Sequence, residues 1–355
     1  MQATVPSDVG ACTAILHDGG YQVVELESYF TELEAKSGRR LGNVRAFIRR
    51  LLFVNRGGRH LDLRRAALSF LSTPIVNAWQ PTIRESAQSA VARLDGSGEV
   101  DLVEAFARPV GGEAICRLLG LPPEHRDDYD RWTDAILGIV EPLLPMRRLA
   151  TIERALEAFA EIVRAAMARP APEEPGGRST FLHYPVPGLD DEDRVWLAIG
   201  LYGASNVTRH TLANNLLRLA RVAPEKRALL TDPDARMAAV ERLIAAGTSF
   251  ETVARYRADG RGAEERIDVP IAAASLSALN GGCPVAHADQ SAFRHVAFGA
   301  GIHKCVGAHL ARLTIAEALT ALVARYPAFS LASEPSGFVR SVMVTSPLDL
   351  PCNLA

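Results

Sequence analysis

The amino-acid sequence predicts a mainly α-helical protein that also contains small β-sheets. Leu, Ala, Arg and Glu recur throughout the chain and aromatic residues make up only 6% of it, a composition that favours helix. One helical pattern near the middle continues for roughly 30 residues. Patterns typical of short strands are confined to two segments in the C-terminal third. We expect one domain spanning residues 1–355, because the clearest connector has helical segments of the same type on both sides.

The charge and the cysteine content exclude several classes of protein. A net charge of -2 gives no overall attraction to nucleic acid or to acidic membranes. The five cysteines are scattered and form no CxxC pair, so neither a disulfide scaffold nor a zinc site is predicted. The sequence has no apolar run of roughly 18 residues and no secretion signal at its start, which predicts a soluble, cytoplasmic protein.

The first half of the chain carries helical patterns that glycine and proline divide. Residues 43–72 predict two short helices separated by Gly57 and Gly58. Pro81 falls in the first turn of the next helix, where its missing N–H costs nothing. A further helix follows in residues 101–120, and the segment RPAPEEPGGRS, residues 169–179, predicts an exposed loop.

An acidic run begins the long central helix. Residues 190–193 are four consecutive acids, which the positive end of a helix dipole stabilises. The helix that follows is apolar on most faces, so we expect it to cross the middle of the protein. Beyond it we expect short strands and loops from Thr252 to about Ala288, a helix from Val306 to about Arg325, and a hairpin in residues 337–355.

The most informative segment is HVAFGAGIHKCVGAHLARLTIAEAL, residues 295–319. Cys305 lies just before or at the start of a helix, where unpaired N–H groups and the helix dipole favour a thiolate. A thiolate is a soft, electron-rich ligand, and haem iron is one centre that uses it. Gly299, Gly301 and Gly307 lack a Cβ, which would let a flat macrocycle approach the backbone. In the alternative interpretation, Cys305 is an ordinary buried cysteine and the glycines only form a turn.

Six constrained positions coincide in this segment, in the ungapped pattern F-G-x-G-x-H-x-C-x-G. The pattern resembles the haem-binding signature of the cytochrome P450 family, which is matched by Phe298, Gly299, Gly301, His303, Cys305 and Gly307. The next residues, AHLAR, also resemble the helix that follows in that family. The resemblance implies a cytochrome P450-like fold, haem b (iron protoporphyrin IX) as cofactor, and Cys305 as the metal ligand. It also implies that His303 reaches a haem carboxylate and that Phe298 limits water near the sulfur.

The resemblance extends upstream of the cysteine. In RHLDLRR, His60 and Arg64 resemble the family's pair that holds a haem propionate, and a spacing of four places both on one helix face. Arg255 in TVARYR matches the position of a further propionate-binding arginine, and guanidinium–carboxylate contacts suit that role. Without the Cys305 motif, we would interpret these three residues as surface charges.

The long helix departs from the family pattern where the family carries an acid followed by an alcohol. Ser205 takes the place of the acid and Asn206 that of the alcohol, although a one-residue shift would bring Thr208 into play. Ser and Asn orient water but do not supply protons as a carboxylic acid does. We expect Ser205 and Asn206 at the catalytic positions, and Tyr202 and Phe250 in the substrate pocket. For Phe250 the alternative is simple core packing.

Two further features differ from the family. The chain begins near the family's second helix, so we expect the first helix and strands to be missing and the access channel to be more open or covered by another protein. The family's Glu-x-x-Arg pair is absent, since the corresponding region reads AVERLIA. We therefore interpret Glu241 and Arg242 as ordinary surface charges.

These features leave three hypotheses for function. The first is a monooxygenase that acts on a small molecule with electrons from a ferredoxin-type partner. The second keeps the haem but uses nitrene or oxo transfer, peroxide, or cyclisation, and the altered long helix favours it. The third is an auxiliary protein that activates a glycosyltransferase; relatives of that kind typically lose the cysteine ligand, whereas this chain keeps Cys305. Family members with altered long helices often belong to bacterial natural-product pathways.

Overall fold

The computed structural model describes residues 6–96, 98–141, 144–186, 188–258, 264–285, 293–341 and 343–354. The predicted class is confirmed, because helices dominate and the strands are few and short. The α-helices are Val9–His17, Glu27–Ser37, Gly42–Ile48, Gly57–Phe70, Thr73–Ala78, Gln80–Ala92, Arg108–Leu119, Arg126–Ile136, Met146–Met167, Asp191–Ala220, Pro224–Arg227, Arg236–Gly247, Ile271–Ser277 and Ala308–Arg325. None of the helices within these ranges is both long and apolar enough to span a bilayer.

The chain divides into two compact units. One unit, which we call the cysteine unit, comprises residues 1–21, 80–111 and 207–355. Its main core joins apolar side chains of the helices Gln80–Ala92, Arg236–Gly247 and Ala308–Arg325 with those of residues 212–219 and the C-terminal strand. A smaller cluster packs the helix Val9–His17 against six apolar side chains further along the chain, namely Ile267, Val269, Ile271, Ala274, Val296 and Ala300.

All the strands of the described ranges lie in the cysteine unit. Glu99–Asp101, Pro351–Asn353 and Ser330–Leu331 form an antiparallel sheet in that order. Val253–Ala258 pairs with Glu264–Val269, and Phe338–Arg340 pairs with Thr345–Pro347 as the predicted C-terminal hairpin. In the first hairpin Arg255 lies opposite Ile267.

The other unit, the tyrosine unit, comprises residues 22–79 and 112–206. Aromatic side chains form much of its core. Tyr129 stacks on Phe159 with ring centroids 4.7 Å apart, and both rings meet Tyr202 edge-on. The helices Arg108–Leu119 and Asp191–Ala220 contribute residues to each unit.

Most predicted elements are present, and one prediction is wrong. The long helix runs from Asp191 to Ala220 with its acids in the first turn, and residues 170–174 have no regular structure, as expected. Gly57 adopts a left-handed φ of 58° at the start of the helix Gly57–Phe70. Residues 271–277, which we expected in strands or loops, form a helix because Pro270 precedes a run rich in alanine. Residues 259–263 and 286–288 of that expected region lie outside the described residues.

Candidate haem-thiolate site

The loop that carries Cys305 is held by its own backbone. The N–H of Cys305 donates to the carbonyl of Phe298 at 2.9 Å, which closes the loop onto itself. A short 3-10 turn, Gly301–His303, comes before the cysteine, and the helix Ala308–Arg325 begins three residues after it with Gly307 as N-cap. The Cys305 side chain is exposed. The loop therefore presents a sulfur close to a helix start, and a backbone hydrogen bond closes the loop.

Two glycines of the loop occupy conformations that other residues rarely adopt. Gly299 has a φ of 65° and Gly301 a φ of 68°. A Cβ at Gly299 or at Gly307 would meet no atom within 4 Å, so both positions leave open space beside the backbone. At Gly301 a Cβ would lie 2.2 Å from the carbonyl oxygen of Leu16, so the close approach there is made by the helix Val9–His17.

The aromatic residue of the signature packs against a cation. The Arg312 guanidinium lies 4.4 Å from the ring centroid of Phe298, a cation–π distance. Phe298 is half-buried and also contacts the main core of the cysteine unit. His303 lies in the 3-10 turn and is half-buried.

A partly buried ionic network lies beside the Cys305 loop. The Glu241 carboxylate accepts from Nε2 of His295 at 2.8 Å and from Nη2 of Arg312 at 3.2 Å, and Arg312 Nε also donates to it. Burial alone would raise the pKa of Glu241, but the hydrogen bonds from His295 and Arg312 outweigh it and lower the pKa to about 2. The N–H of Ala297 donates to Nδ1 of His295 at 3.1 Å, so the proton of the neutral ring is on Nε2.

The interpretation of Glu241 and Arg242 as surface charges is wrong. Arg242 is buried; its Nη2 donates to the carbonyl of Cys283 at 2.9 Å, and its guanidinium lies 5.4 Å from the ring centroid of Phe293. Both charges are retained because each has hydrogen-bond partners that offset its desolvation. We did not predict the roles of His295 and Arg312, although both lie in the segment that we singled out.

Arg255 is a buried cation without a carboxylate. Its side chain is 8% exposed, and its Nη1 donates only to the carbonyl of Ala254, in its own strand. Within the described residues it makes no ion pair, and burial lowers its pKa. Such a guanidinium fits an anionic group other than the carboxylates of the described residues, such as a haem propionate.

His60 and Arg64 belong to the tyrosine unit, on the helix Gly57–Phe70. Both residues lie on one face of this continuous helix, because they are four residues apart. His60 is fully buried, and its Nδ1–H donates to the carbonyl of Leu52 at 3.0 Å. Arg64 is half-buried.

The long helix places Ser205 and Asn206 in different environments. Ser205 is half-buried, whereas Asn206 is 2% exposed and its Nδ2 has no hydrogen-bond partner within the described residues. A buried amide nitrogen without an acceptor costs roughly 1–3 kcal/mol. Ala204 is exposed and Thr208 is half-buried, so Thr208 keeps an accessible side chain.

The two residues predicted for the substrate pocket make packing contacts. Tyr202 is fully buried and donates its hydroxyl to Oδ1 of Asp130 at 2.7 Å. Burial and the nearby Asp130 carboxylate raise its pKa. Phe250 is half-buried against the small apolar cluster around the helix Val9–His17. A role of either residue in substrate binding stays a prediction, and Asp130 is a buried acid that the sequence did not single out.

Comparison with known proteins identifies the fold. No protein-family model matches the chain. It is 28% identical to mycinamicin IV hydroxylase/epoxidase of Micromonospora griseorubida over 82% of this chain and 77% of that protein. It is 27% identical to cytochrome P450 107B1 of Saccharopolyspora erythraea over 78% and 70%, respectively. The crystal structure of P450BioI in complex with an acyl carrier protein superposes with a TM-score of 0.79 at 19% identity, over 98% of this chain and 91% of that one.

The fold and the cysteine loop define the class as haem-thiolate oxidoreductases. Within that class, the chain is similar in sequence to bacterial cytochrome P450s over most of its length, and it has the cytochrome P450 fold. This similarity implies a haem cofactor, and the residues present fit one: a sulfur at a helix start, open space beside Gly299 and Gly307, and a buried arginine that forms no ion pair within the described residues.

Proposed function

We propose that this protein modifies a small organic molecule in bacterial natural-product biosynthesis by oxidative tailoring, and that the Cys305 thiolate would hold the iron of haem b. The observation that carries the proposal is the loop that closes through the Cys305 N–H and the Phe298 carbonyl at 2.9 Å. When bound, the haem would supply the redox chemistry at its iron. The hydroxylase/epoxidase from Micromonospora supports the reaction class.

In this proposal several residues hold the cofactor. Arg255 and His303 would bind haem propionates, and His60 and Arg64 are proposed for the same role. The buried guanidinium of Arg255 supports this assignment, because a carboxylate partner would compensate its desolvation. Phe298 would shield the Cys305 sulfur from water, and Arg312 fixes its ring.

Proton delivery is the step in which this chain would differ from an acid-based relay. Neither Ser205 nor Asn206 is a carboxylic acid, so neither donates and reloads a proton near neutral pH. The buried Nδ2 of Asn206 would instead donate a hydrogen bond to a water molecule or to the substrate, which would satisfy it. Protons would then come from ordered water, from the substrate or from the Thr208 hydroxyl.

A second candidate function follows from the same two residues. A substrate that already carries an activated group would allow nitrene or oxo transfer, or cyclisation, without proton delivery by the protein. Peroxide would likewise replace oxygen and a ferredoxin-type partner. Labelled oxygen separates the two candidates: incorporation that requires both oxygen and reduced ferredoxin supports oxidative tailoring, and full turnover without them supports the second.

Thiolate ligation is tested by spectroscopy of the reduced, carbon monoxide-treated protein. We expect the red-shifted Soret band of a cysteine-ligated haem in the natural protein and its loss in Cys305→Ala. Cys283→Ala is the matched control, because Cys283 is a half-buried cysteine of the same unit and its thiol contacts the carbonyl of Val285. A folded protein that binds no haem would reject the proposal and would favour the auxiliary-protein hypothesis.

A further inference from the structure

A cavity of about 440 Å³ lies in the tyrosine unit, beside the start of the helix Gly57–Phe70. Small-molecule sites generally have volumes of roughly 300–1,000 Å³. The charged side chains in the wall are four arginines and two glutamates: Arg49, Arg50, Arg56, Arg59, Glu25 and Glu27. The wall therefore has two more positive than negative charges.

Both glutamates of the wall already accept hydrogen bonds. Glu27 accepts from Nε of Arg49 at 2.6 Å. Glu25 accepts the backbone N–H of Glu27 at 2.7 Å and that of Ser28 at 3.2 Å, so it caps the helix Glu27–Ser37. Within the described residues, neither carboxylate forms an ion pair with Arg50, Arg56 or Arg59.

Two further arginines of the wall share one carboxylate. Asp193 accepts from Nε of Arg50 at 2.8 Å and from Nη2 of Arg59 at 2.6 Å. Burial would raise the pKa of Asp193, but these two guanidinium groups outweigh it and lower the pKa. Two guanidinium groups of the wall therefore share the Asp193 carboxylate, and Arg50 also interacts electrostatically with Glu192.

Arg56 has no ionic partner within the described residues. It is half-buried, and its Nε is inaccessible and lacks a hydrogen-bond acceptor. Arg56 is also the N-cap residue of the helix Gly57–Phe70, where no side chain caps the first N–H groups. An unpaired guanidinium and the positive end of a helix thus occur together at the wall of one cavity.

We propose that this cavity binds a small organic anion, either a carboxylate or a phosphate ester. Arg56 would meet the charge, and the buried side chains of Ile48 and Val54, which also line the cavity, would contact an apolar portion. The proposal rests on none of the residues assigned to haem binding. A solvated cleft that attracts any anion is the ordinary alternative.

Calorimetric titration of the haem-loaded protein tests the proposal at fixed ionic strength in chloride. The probes are phenyl phosphate and benzoate, which separate a phosphate ester from a carboxylate, with inorganic phosphate and benzyl alcohol as controls. We expect one-site saturable binding of phenyl phosphate or benzoate. Inorganic phosphate lacks the apolar portion and benzyl alcohol lacks the charge, so each should bind at least about tenfold more weakly.

Arg56→Gln should weaken binding of the preferred probe by about tenfold or more. Arg65→Gln is the matched control: Arg65 lies on the same helix, is 77% exposed and pairs with Asp62, so its loss should leave the affinity unchanged. Saturation that Arg56→Gln leaves within twofold of the natural protein would overturn the proposal, as would an absence of saturable binding.

Hydrogen–deuterium exchange of the natural protein decides the question if Arg56→Gln fails to fold. The preferred probe should slow exchange in peptides that cover residues 48–60 and leave those of 308–325 unchanged. Protection elsewhere without protection of residues 48–60 would reject the site. Neither readout involves the haem spectrum or turnover, so failure of this proposal and failure of the proposed function are distinguishable.

Discussion

The carboxylate of Glu241 and the imidazole of His295 form a hydrogen bond of 2.8 Å that joins the helix Arg236–Gly247 to the start of the Cys305 loop. Arg312, on the helix that follows the loop, donates to the same carboxylate and covers the ring of Phe298. The Glu241 carboxylate therefore links the segment before Cys305 to the helix after it through hydrogen bonds. Residues 239–245, AVERLIA, contain no Glu-x-x-Arg pair, but Glu241 takes part in an ionic network beside the Cys305 loop.

Glu241→Gln should remove a contribution to the free energy of unfolding that is lost at low pH. The folded-state pKa of about 2 lies below the ordinary value of 4.5, so the stabilisation is complete above about pH 4.5 and is lost as the pH falls towards 2. The corresponding free energy is about 3 kcal/mol at most. Urea unfolding at pH 7 and at pH 3 measures it: the difference in free energy between Glu241→Gln and the natural protein should shrink at the lower pH. An equal difference at both pH values would contradict the assignment.

Arg242→Ala should destabilise the protein although the position looks like a surface charge in the sequence. The substitution leaves the carbonyl of Cys283 without its donor and removes the contact with Phe293. We expect a loss of about 1–3 kcal/mol in the free energy of unfolding, measured by urea titration. Arg65→Ala, at an exposed arginine, should stay within about 0.5 kcal/mol of the natural protein. Equal effects of the two substitutions would contradict the structural role of Arg242.

Alanine substitutions at Gly299 and Gly301 distinguish two reasons for a glycine in the loop: its left-handed backbone conformation and the lack of space for a Cβ. Gly299 and Gly301 both have φ near 65°, so alanine at either position adds a backbone strain of about 1–2 kcal/mol. Only at Gly301 would the new Cβ collide with the carbonyl of Leu16. In the haem-free protein, Gly301→Ala should therefore lower the free energy of unfolding more than Gly299→Ala does.

In the haem-loaded protein, the two substitutions should also differ in their effect on haem binding. The open space beside Gly299 is available to a macrocycle, so Gly299→Ala should weaken haem binding by more than its effect on folding. Haem transfer to apomyoglobin measures the rate of loss. If Gly299→Ala loses haem no faster than the natural protein, the macrocycle does not lie against this glycine.

The sequence predicted those features that short-range chemistry determines. The acids of residues 190–193 marked the start of the long helix, and the glycines around Cys305 marked a tight loop. The roles of Glu241 and Arg242 could not be predicted, because their partners His295, Arg312 and Cys283 are 41–71 residues away along the chain. Charge patterns describe one helix face, whereas burial of a charge depends on segments that pack against it later in the chain. The same limit explains why Asp130, the partner of Tyr202, was missed.

Arg255→Met should have opposite effects on the haem-free and the haem-loaded protein. Without haem, the substitution removes a buried cation that has no carboxylate partner among the described residues, so the free energy of unfolding should stay the same or rise. With haem, it removes the proposed propionate partner, so haem affinity should fall by about tenfold or more. Arg257→Met is the matched control on the same strand: Arg257 is more exposed, pairs with Asp18 at 2.5 Å, and should not affect haem affinity. Urea unfolding of the haem-free protein and haem transfer to apomyoglobin measure the two effects separately. If Arg255→Met instead destabilised the haem-free protein and left haem affinity unchanged, Arg255 would serve only the packing of its strand.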